Sequence, residues 1–253
     1  MGIVTFRFYA ELNDFLPQAR RQKSFHHAFQ GKVAVKDMIE SLGVPHTEVD
    51  LILANGCSVD FSYPVQPGDA ISVFPVFEAF DISPLLRVRA RPLRVIRFVL
   101  DVHLGRLAAL LRLLGFDSLY RNDLSDGELA QLSREQSRVL LTRDRGLLKR
   151  SEVTHGYCVR STTPRSQVAE VVRRFDLIAA AQPFSRCLKC NDELEDACLE
   201  RVRDEVPPGV QVLRQEFKRC PRCGRVFWKG THYRRLESLI ADLRRESGAS
   251  TQT

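Results

Sequence analysis

Four cysteines in two Cys-x-x-Cys pairs constrain this 253-residue chain more than any other feature. Cys187 and Cys190 form the first pair, Cys220 and Cys223 form the second, and 29 residues separate them. Two such pairs supply four thiolates, which is the ligand set of a tetrahedral zinc site with no open position. The spacing therefore predicts a structural zinc ion in a segment too short to bury a sufficient apolar core.

The remaining cysteines and the first residues favour a reducing compartment. The chain has seven cysteines, an odd number, and Met1 to Tyr9 has the pattern of a strand and not of a secretory signal. We therefore expect no disulfide bonds and a cytoplasmic location. No stretch approaches the ~18 apolar residues of a membrane span, so no membrane association is expected.

Charge is distributed unevenly along the chain. Residues 1–84 contain 6 Lys and Arg against 10 Asp and Glu, whereas residues 85–253 contain 32 against 21. An acidic first part and a basic second part indicate at least two units, and the basic part suits a polyanion such as nucleic acid. An excess of arginine can also reflect genome composition alone.

The overall composition is that of a globular protein. A content of 44% hydrophobic and 27% charged residues excludes wholesale disorder.

Residues 1–82 are predicted to form an α+β unit with the order β-β-α-β-β, which is that of a β-grasp domain. The strands follow from alternating apolar residues and the helix from apolar residues three and four positions apart. The predicted elements are strands Ile3–Tyr9 and Phe25–Phe29, helix Val35–Leu42, and strands Leu51–Ala54 and Ala70–Phe74.

This unit resembles the ubiquitin-like sulfur-carrier proteins of cofactor biosynthesis. The shared features are the turn Ala54-Asn55-Gly56 and the segment Pro67-Gly68-Asp69 with the strand that follows it. The C-terminal Gly-Gly that a sulfur carrier requires is missing, because the last strand continues into Pro75 and the residues after it. The resemblance therefore implies a docking or substrate-orienting module with a protein partner, or a structural cap, and not a carrier.

The rest of the chain is predicted to contain a linker, an α/β domain and a cysteine-rich module. Residues 83–93 form a basic linker, and residues 94–180 alternate strands with helices, which indicates a mostly parallel sheet. Residues 181–246 form a zinc ribbon that ends in a closing helix over 236–246, and residues 247–253 form a flexible tail. The predicted elements of the α/β domain are Val95–Leu100 (strand), Leu104 to about Gly115 (helix), Phe116–Tyr120 (strand), Ser125–Arg134 (helix), Val139–Thr142 (strand), Gly156–Arg160 (strand) and Pro164 to about Phe175 (helix).

Three aspartates stand where the α/β pattern changes element. Asp101 and Asp144 follow strands, and Asp126 opens a helix. The carboxyl ends of parallel strands share one edge of a sheet, where ligands bind, so these carboxylates are expected to converge. Converging carboxylates repel unless a cation neutralises them, and hard oxygens select Mg²⁺ or Mn²⁺. Such an ion can activate water and stabilise the departing oxygen of a phosphodiester. Each aspartate also has a simpler role as a cap or turn residue.

The ordered combination of strand–Asp–helix, Asp-x-Glu-Leu and strand–Thr-x-Asp resembles the PIN-like nucleases. More narrowly, Phe98–Ala108, Leu113–Asp117 and Leu141–Arg145 resemble the predicted ribonuclease module at the C-terminus of the Mut-seven type exonucleases. That module also occurs in bacterial proteins between a ubiquitin-like domain and a zinc ribbon, so the resemblance covers nearly the whole chain. It implies a metal-dependent ribonuclease in which Asp101, Asp126 and Asp144 bind the metal.

Further candidates follow from the same resemblance. Thr142 orients a carboxylate or water, or is an ordinary strand residue. Arg106 contacts the scissile phosphate and the RNA, or is a surface arginine. Asp123 is the rival of Asp126, and Glu128 is either a further acid or a capping residue.

Aromatic and basic residues alternate after the second cysteine pair and are the predicted RNA contacts. Aromatic rings stack on bases and basic side chains pair with phosphates, whereas Trp228 can also pack in the ribbon core. Family analogy favours a structured RNA such as tRNA. Two alternatives are a non-catalytic RNA-binding adaptor and a scaffold that docks sulfur-transfer enzymes through the β-grasp domain. The predicted RNA contacts in this segment are Trp228, Lys229, His232 and Arg234.

Overall fold

A computed structural model describes residues 1–75, 96–213, 216–230, 237–238, 240–243 and 245. They belong to two compact units: residues 1–75 with Asp126–Cys158, and Ile96–Ser125 with the described residues from Val159 onward. The predicted basic linker 83–93 and the tail 247–253 lie outside the described residues, as does part of the predicted closing helix.

Strands and helices alternate over most of the described chain. The strands are β1 (Gly2–Phe8), β2 (Phe25–Phe29), β3 (Leu51–Ala54), β4 (Cys57–Val59), β5 (Ala70–Phe74), β6 (Phe98–Leu100), β7 (Ser118–Tyr120), β8 (Val139–Thr142), β9 (Gly156–Cys158), β10 (Glu195–Ala197), β11 (Phe217–Arg219) and β12 (Val226–Trp228). The helices are α1 (Val35–Ser41), α2 (Gly105–Leu113), α3 (Asp126–Glu135), α4 (Arg145–Leu148), α5 (Pro164–Arg174), α6 (Leu199–Val202) and α7 (Pro208–Leu213).

The first five strands form one mixed sheet in the order β2-β1-β5-β3-β4. β1 pairs antiparallel with β2 and parallel with β5, and β3 pairs antiparallel with β5. Phe6 and Phe8 on β1, together with Met38 and Ile39 of α1, are almost fully buried. Alternate residues of the strands thus supply the core beneath the helix, which confirms the predicted β-grasp fold.

β4 is a strand that the sequence analysis did not predict. It pairs with β3 across the turn formed by Asn55 and Gly56, whose φ angles are +52° and +83°. An Asn-Gly pair with two positive φ values is the preferred turn of a two-residue hairpin. The three residues Cys57–Val59 are too few to show an alternating pattern, so only the turn signal could have indicated this strand.

The first unit also contains α3, β8, α4 and β9. β8 and β9 are parallel, with Leu140 opposite Gly156 and Thr142 opposite Cys158. β8 spans the predicted residues and is buried throughout, whereas β9 ends two residues earlier than predicted. The four-residue helix α4 was not predicted, because one turn is too short to display a helical period.

In the second unit, β6 and β7 are parallel, with Phe98 opposite Ser118. A 3₁₀ turn over Val102–Leu104 precedes α2, so that helix begins one residue later than predicted. Leu107 and Leu111 of α2 are fully buried. The parallel strand pairs of the two units confirm the predicted parallel-sheet α/β domain.

The cysteine-rich module follows in the same unit and contains a three-stranded antiparallel sheet in the order β10-β11-β12. Cys187, Leu194 and Cys220 form one small core. Val202, Val206 and Phe217 form a second. This arrangement confirms the predicted ribbon fold class. No helix in the described part of the chain is both long and apolar enough to cross a membrane.

Candidate functional site

The sulfur atoms of the four predicted zinc ligands lie together, with all ligand atoms within 4.8 Å of one another. The Sγ atoms of Cys187 and Cys223 are 3.6 Å apart, and those of Cys190 and Cys220 are 3.3 Å apart. A zinc ion with Zn–S distances of about 2.3 Å requires sulfur–sulfur distances of about 3.8 Å in a tetrahedron. The cluster therefore has nearly the dimensions needed to hold a metal ion such as zinc.

The two cysteine pairs sit on matching turns. The Asn191 N–H donates to the Cys187 carbonyl at 3.0 Å, and the Gly224 N–H donates to the Cys220 carbonyl at 2.9 Å. Asn191 and Gly224, each directly after the second cysteine of its pair, have φ angles of +72° and +73°. Only glycine and, less readily, asparagine adopt this left-handed conformation at low cost. The local sequence thus folds each pair into the same bend and points both sulfur atoms inward.

The thiol groups of the cluster differ in their electrostatic surroundings. Burial raises the pKa of Cys190 to about 12 and also raises the pKa of Cys187. A hydrogen bond from the backbone of Arg225 lowers the pKa of Cys223 to about 7. Thiolates are the metal-binding form, and burial disfavours several negative charges in one place. A cation is therefore the natural neutralising group of this cluster.

Arg112 on α2 joins the first cysteine turn to the α/β domain within the same unit. Its Nε donates to the Ser118 carbonyl at 2.9 Å, and its Nη1 donates to the carbonyls of Leu188 at 3.0 Å and Lys189 at 2.9 Å. The side chain is 4% exposed. Burial lowers the pKa of Arg112, whereas the charges of the nearby Cys187 and Cys190 raise it. This arginine has no pattern signal in the sequence, because its partners are backbone carbonyls.

Replacing Arg112 by methionine is expected to lower the free energy of unfolding by about 3 kcal/mol, because three charge-assisted hydrogen bonds are lost and the carbonyl of the buried Ser118 loses this donor. Methionine keeps most of the apolar stem, so the loss reports on the guanidinium. Urea unfolding measures the effect. The exposed Arg134 serves as the control, and Arg134→Met is expected to change the value by less than about 0.5 kcal/mol. Equal unfolding curves for the two variants would contradict the bracing role.

Asp101 directly follows β6 and is 6% exposed. Its backbone carbonyl accepts a hydrogen bond from Leu104 at 2.9 Å, but its side chain makes no capping hydrogen bond to the 3₁₀ turn. The alternative interpretation of Asp101 as a helix-capping residue is therefore wrong.

Two supporting residues near Asp101 were missed by the sequence analysis. The Tyr120 hydroxyl donates to the Val102 carbonyl at 3.0 Å, which fixes the turn after Asp101. A β-carbon at Gly105 would lie 2.7 Å from the Tyr120 ring, so only glycine fits there. Glycine is unfavourable within a helix, and its place at the start of α2 was the available signal.

Asp144 is exposed and lies directly after β8. Its Oδ1 accepts the Gly146 N–H at 2.7 Å, which caps α4, and its own N–H donates to the Thr142 hydroxyl at 2.9 Å. The predicted turn-stabilising role of Asp144 is thus present. Thr142 is fully buried, and its hydroxyl holds the backbone of Asp144 in place, which an ordinary strand residue would not do.

The two candidates for the second acidic position have different surroundings. Asp126 is the exposed first residue of α3. Asp123 is also exposed but receives two hydrogen bonds from Arg121, at 3.0 and 2.6 Å, which lower its pKa. Asp126 and Asp144 belong to the first unit and Asp101 belongs to the second. The convergence of the three aspartates stays a prediction.

The predicted RNA contacts fall partly within the described residues. Trp228 is half-buried, lies opposite Phe217 in the ribbon sheet and packs on the second small core. Lys229 forms an ion pair with Glu216, and Arg106 is exposed on α2. His232 and Arg234 lie outside the described residues. The core-packing interpretation thus applies to Trp228, whose remaining surface stays accessible.

Comparisons with known proteins match almost the whole chain. A family model described as Mut7-C RNAse domain matches residues 96–240, and one described as Mut7-C ubiquitin matches residues 1–81. No curated protein and no solved structure matches the chain significantly. The two matched segments cover the β-grasp sheet, the described α/β elements and the cysteine cluster.

Proposed function

We propose a function from the premise that this chain belongs to the Mut7-C RNAse domain family and carries a Mut7-C ubiquitin domain at its start. We infer that it is a metal-dependent ribonuclease that hydrolyses phosphodiester bonds, with a structured RNA such as tRNA as substrate. The observation that carries this proposal is the RNAse family match over residues 96–240, which contains the aspartates of the predicted acidic site.

Asp101, Asp126 and Asp144 are the residues that would hold Mg²⁺ or Mn²⁺. Carboxylate oxygens are the ligands these ions prefer. A carboxylate has about four lone-pair positions, and the hydrogen bond from Gly146 uses one of those of Asp144, so this side chain keeps capacity for a cation. The divalent ion supplies a Lewis acid that stabilises charge on the phosphate. Thr142 acts as a positioning residue through the backbone of Asp144.

Helix geometry favours Asp126 over its neighbours as the second acidic ligand. Leu129 and Ala130, which lie three and four residues after Asp126, are buried. Asp126 is therefore on the same side of α3 as these buried residues, one turn closer to the start of the helix. Glu128 is two residues away and lies on a different side of the helix. Asp123 is already engaged by Arg121. We therefore assign Asp126 to the metal and keep Glu128 as the candidate for a further acid.

The cysteine cluster is proposed to bind a structural zinc ion, since all four positions are filled by protein ligands. Binding requires reduced thiols, which suits a reducing compartment such as the cytoplasm. We propose that the ribbon, through Trp228, Lys229, His232 and Arg234, and the exposed Arg106 grip the RNA. The accessible part of the Trp228 ring would stack on a base.

The test is a cleavage assay on the purified full chain with end-labelled tRNA and single-stranded RNA. We expect cleavage in Mn²⁺ or Mg²⁺ and none in EDTA. Because EDTA can also remove zinc, one sample is depleted and then given Mg²⁺ alone, Zn²⁺ alone or both. Cleavage restored only when Mg²⁺ is present supports the proposal. RNA that is bound but stays intact in every sample would replace the nuclease with an RNA-binding adaptor.

A further inference from the structure

The one-turn helix α4 begins directly after Asp144 and depends on its surroundings for stability. A helix of four residues is not stable by itself, because nucleation costs more than one turn returns. Leu147 and Leu148 secure its apolar side and are almost fully buried. The polar groups at its two ends contact the β-grasp domain, which belongs to the same compact unit.

Arg145, the first residue of α4, contacts Asp14 and Phe15 of the β-grasp domain. Its Nη2 donates to the Asp14 carbonyl at 3.3 Å, and its Nη1 donates to the Phe15 carbonyl at 3.4 Å. The guanidinium carbon also lies 4.8 Å from the centre of the Phe15 ring. A planar guanidinium that stacks and donates at the same time has one preferred orientation. The residue beside Asp144 is therefore oriented by a segment about 130 positions earlier in the chain.

The other end of α4 is tied to the helix of the β-grasp domain. Lys149 Nζ donates to the Glu40 carbonyl at 2.7 Å. The Glu40 carboxylate contacts Nδ1 of His46 at 2.6 Å, and Nε2 of His46 donates to the Val153 carbonyl at 2.8 Å. A connected set of polar contacts thus brackets the segment from α4 to the loop before β9.

Glu48 extends this interface to β9 itself. Its side chain is fully buried, and Oε1 accepts the Cys158 N–H at 2.5 Å. A buried carboxylate is costly unless its hydrogen bonds are met, so any other placement of β9 against this carboxylate is disfavoured. The β-grasp surface formed by Phe15, Glu40, His46 and Glu48 is therefore already occupied by the chain's own residues 145–158.

We propose that the β-grasp domain is a built-in positioning platform for the Asp144 end of the nuclease site, and that Arg145 is its principal positioning residue. This inference rests on the proposed function, in which Asp144 binds the catalytic metal. A displacement of about 1 Å is enough to impair a ligand set or a catalytic geometry. The platform acts on Asp144 through α4 and does not itself touch the RNA.

The test compares Arg145→Ala with Arg150→Ala in the full chain. Both variants remove one guanidinium from the same segment, but Arg150 pairs with the surface residue Glu152 and not with the β-grasp domain. For Arg145→Ala we expect about tenfold faster amide exchange over residues 143–149 and about tenfold weaker Mn²⁺ binding, the size expected from one charged hydrogen-bonding group. We expect kcat to fall and KM for RNA to stay unchanged. Arg150→Ala is expected to match the wild type.

Each result decides between the platform and another role of Arg145. A raised KM with unchanged amide exchange would show that Arg145 contacts RNA directly, which overturns the proposal. Unchanged exchange and Mn²⁺ binding would also overturn it, because α4 would then be held by its apolar side alone. If the wild-type chain cleaves no RNA, the proposed function fails, whereas the exchange difference between the two variants still shows whether the platform orders α4.

Discussion

Replacing Asp144 by asparagine is expected to reduce kcat/KM for RNA cleavage by about 10³-fold, because a metal-binding charge is lost where phosphate charge must be stabilised. Asparagine keeps an oxygen that can accept the Gly146 N–H, so the cap of α4 is preserved. Thr142 still receives the backbone N–H of residue 144. The variant therefore removes the negative charge and little else, which makes activity a direct report on the acidic site.

The matched control for this prediction is Asp123→Asn. Asp123 carries the same charge and is exposed, but Arg121 already engages it, so we expect activity within about twofold of the wild type. Asp101→Asn and Asp126→Asn are expected to behave like Asp144→Asn. Single-turnover cleavage in Mn²⁺ measures the effect, and circular dichroism confirms that each variant is folded. A fully active Asp144→Asn would remove this residue from the metal site.

Regular elements with a clear period could be predicted from the sequence. β2, β3 and β8 occupy the predicted residues, because each alternates or is continuously apolar and is bounded by turn residues. β4 and α4 could not, because three or four residues carry no measurable period. The short elements are nonetheless the ones that define the end of a hairpin and the surroundings of Asp144.

The cysteine cluster was predictable for a different reason. Its ligands come in fixed local spacings, so four positions identify the site before any fold is known. The residues that hold this cluster and α4 in place were not predictable. Arg112 and Arg145 donate to backbone carbonyls about 75 and 130 positions away, and carbonyls are present at every residue. Asn191 was not singled out in the sequence either, although its place after the second cysteine matches that of Gly224 and was an available signal.

Replacing Cys220 by serine is expected to remove the bound zinc and to lower the free energy of unfolding of the cysteine-rich module by more than about 3 kcal/mol, because structural zinc supplies folding energy directly. Cys220 is fully buried in the small core with Cys187 and Leu194. A hydroxyl there loses the thiolate ligand and leaves three cysteines in a cluster whose burial disfavours their charges. Metal analysis of the purified protein and thermal unfolding measure the two effects.

Cys198→Ser is the control, because Cys198 is exposed and is not part of the cluster. It is expected to keep one zinc ion per chain and the stability of the wild type. The effect of Cys220→Ser should also reach the α/β domain, since Arg112 and Asn191 bond the first cysteine turn to Ser118 at the start of β7. Amide exchange over residues 112–120 is therefore expected to rise together with exchange in the ribbon. A Cys220→Ser chain that retains a full zinc ion would show that Cys220 is not an essential ligand. Protection of residues 112–120 despite zinc loss would show that the first cysteine turn keeps its shape without the metal.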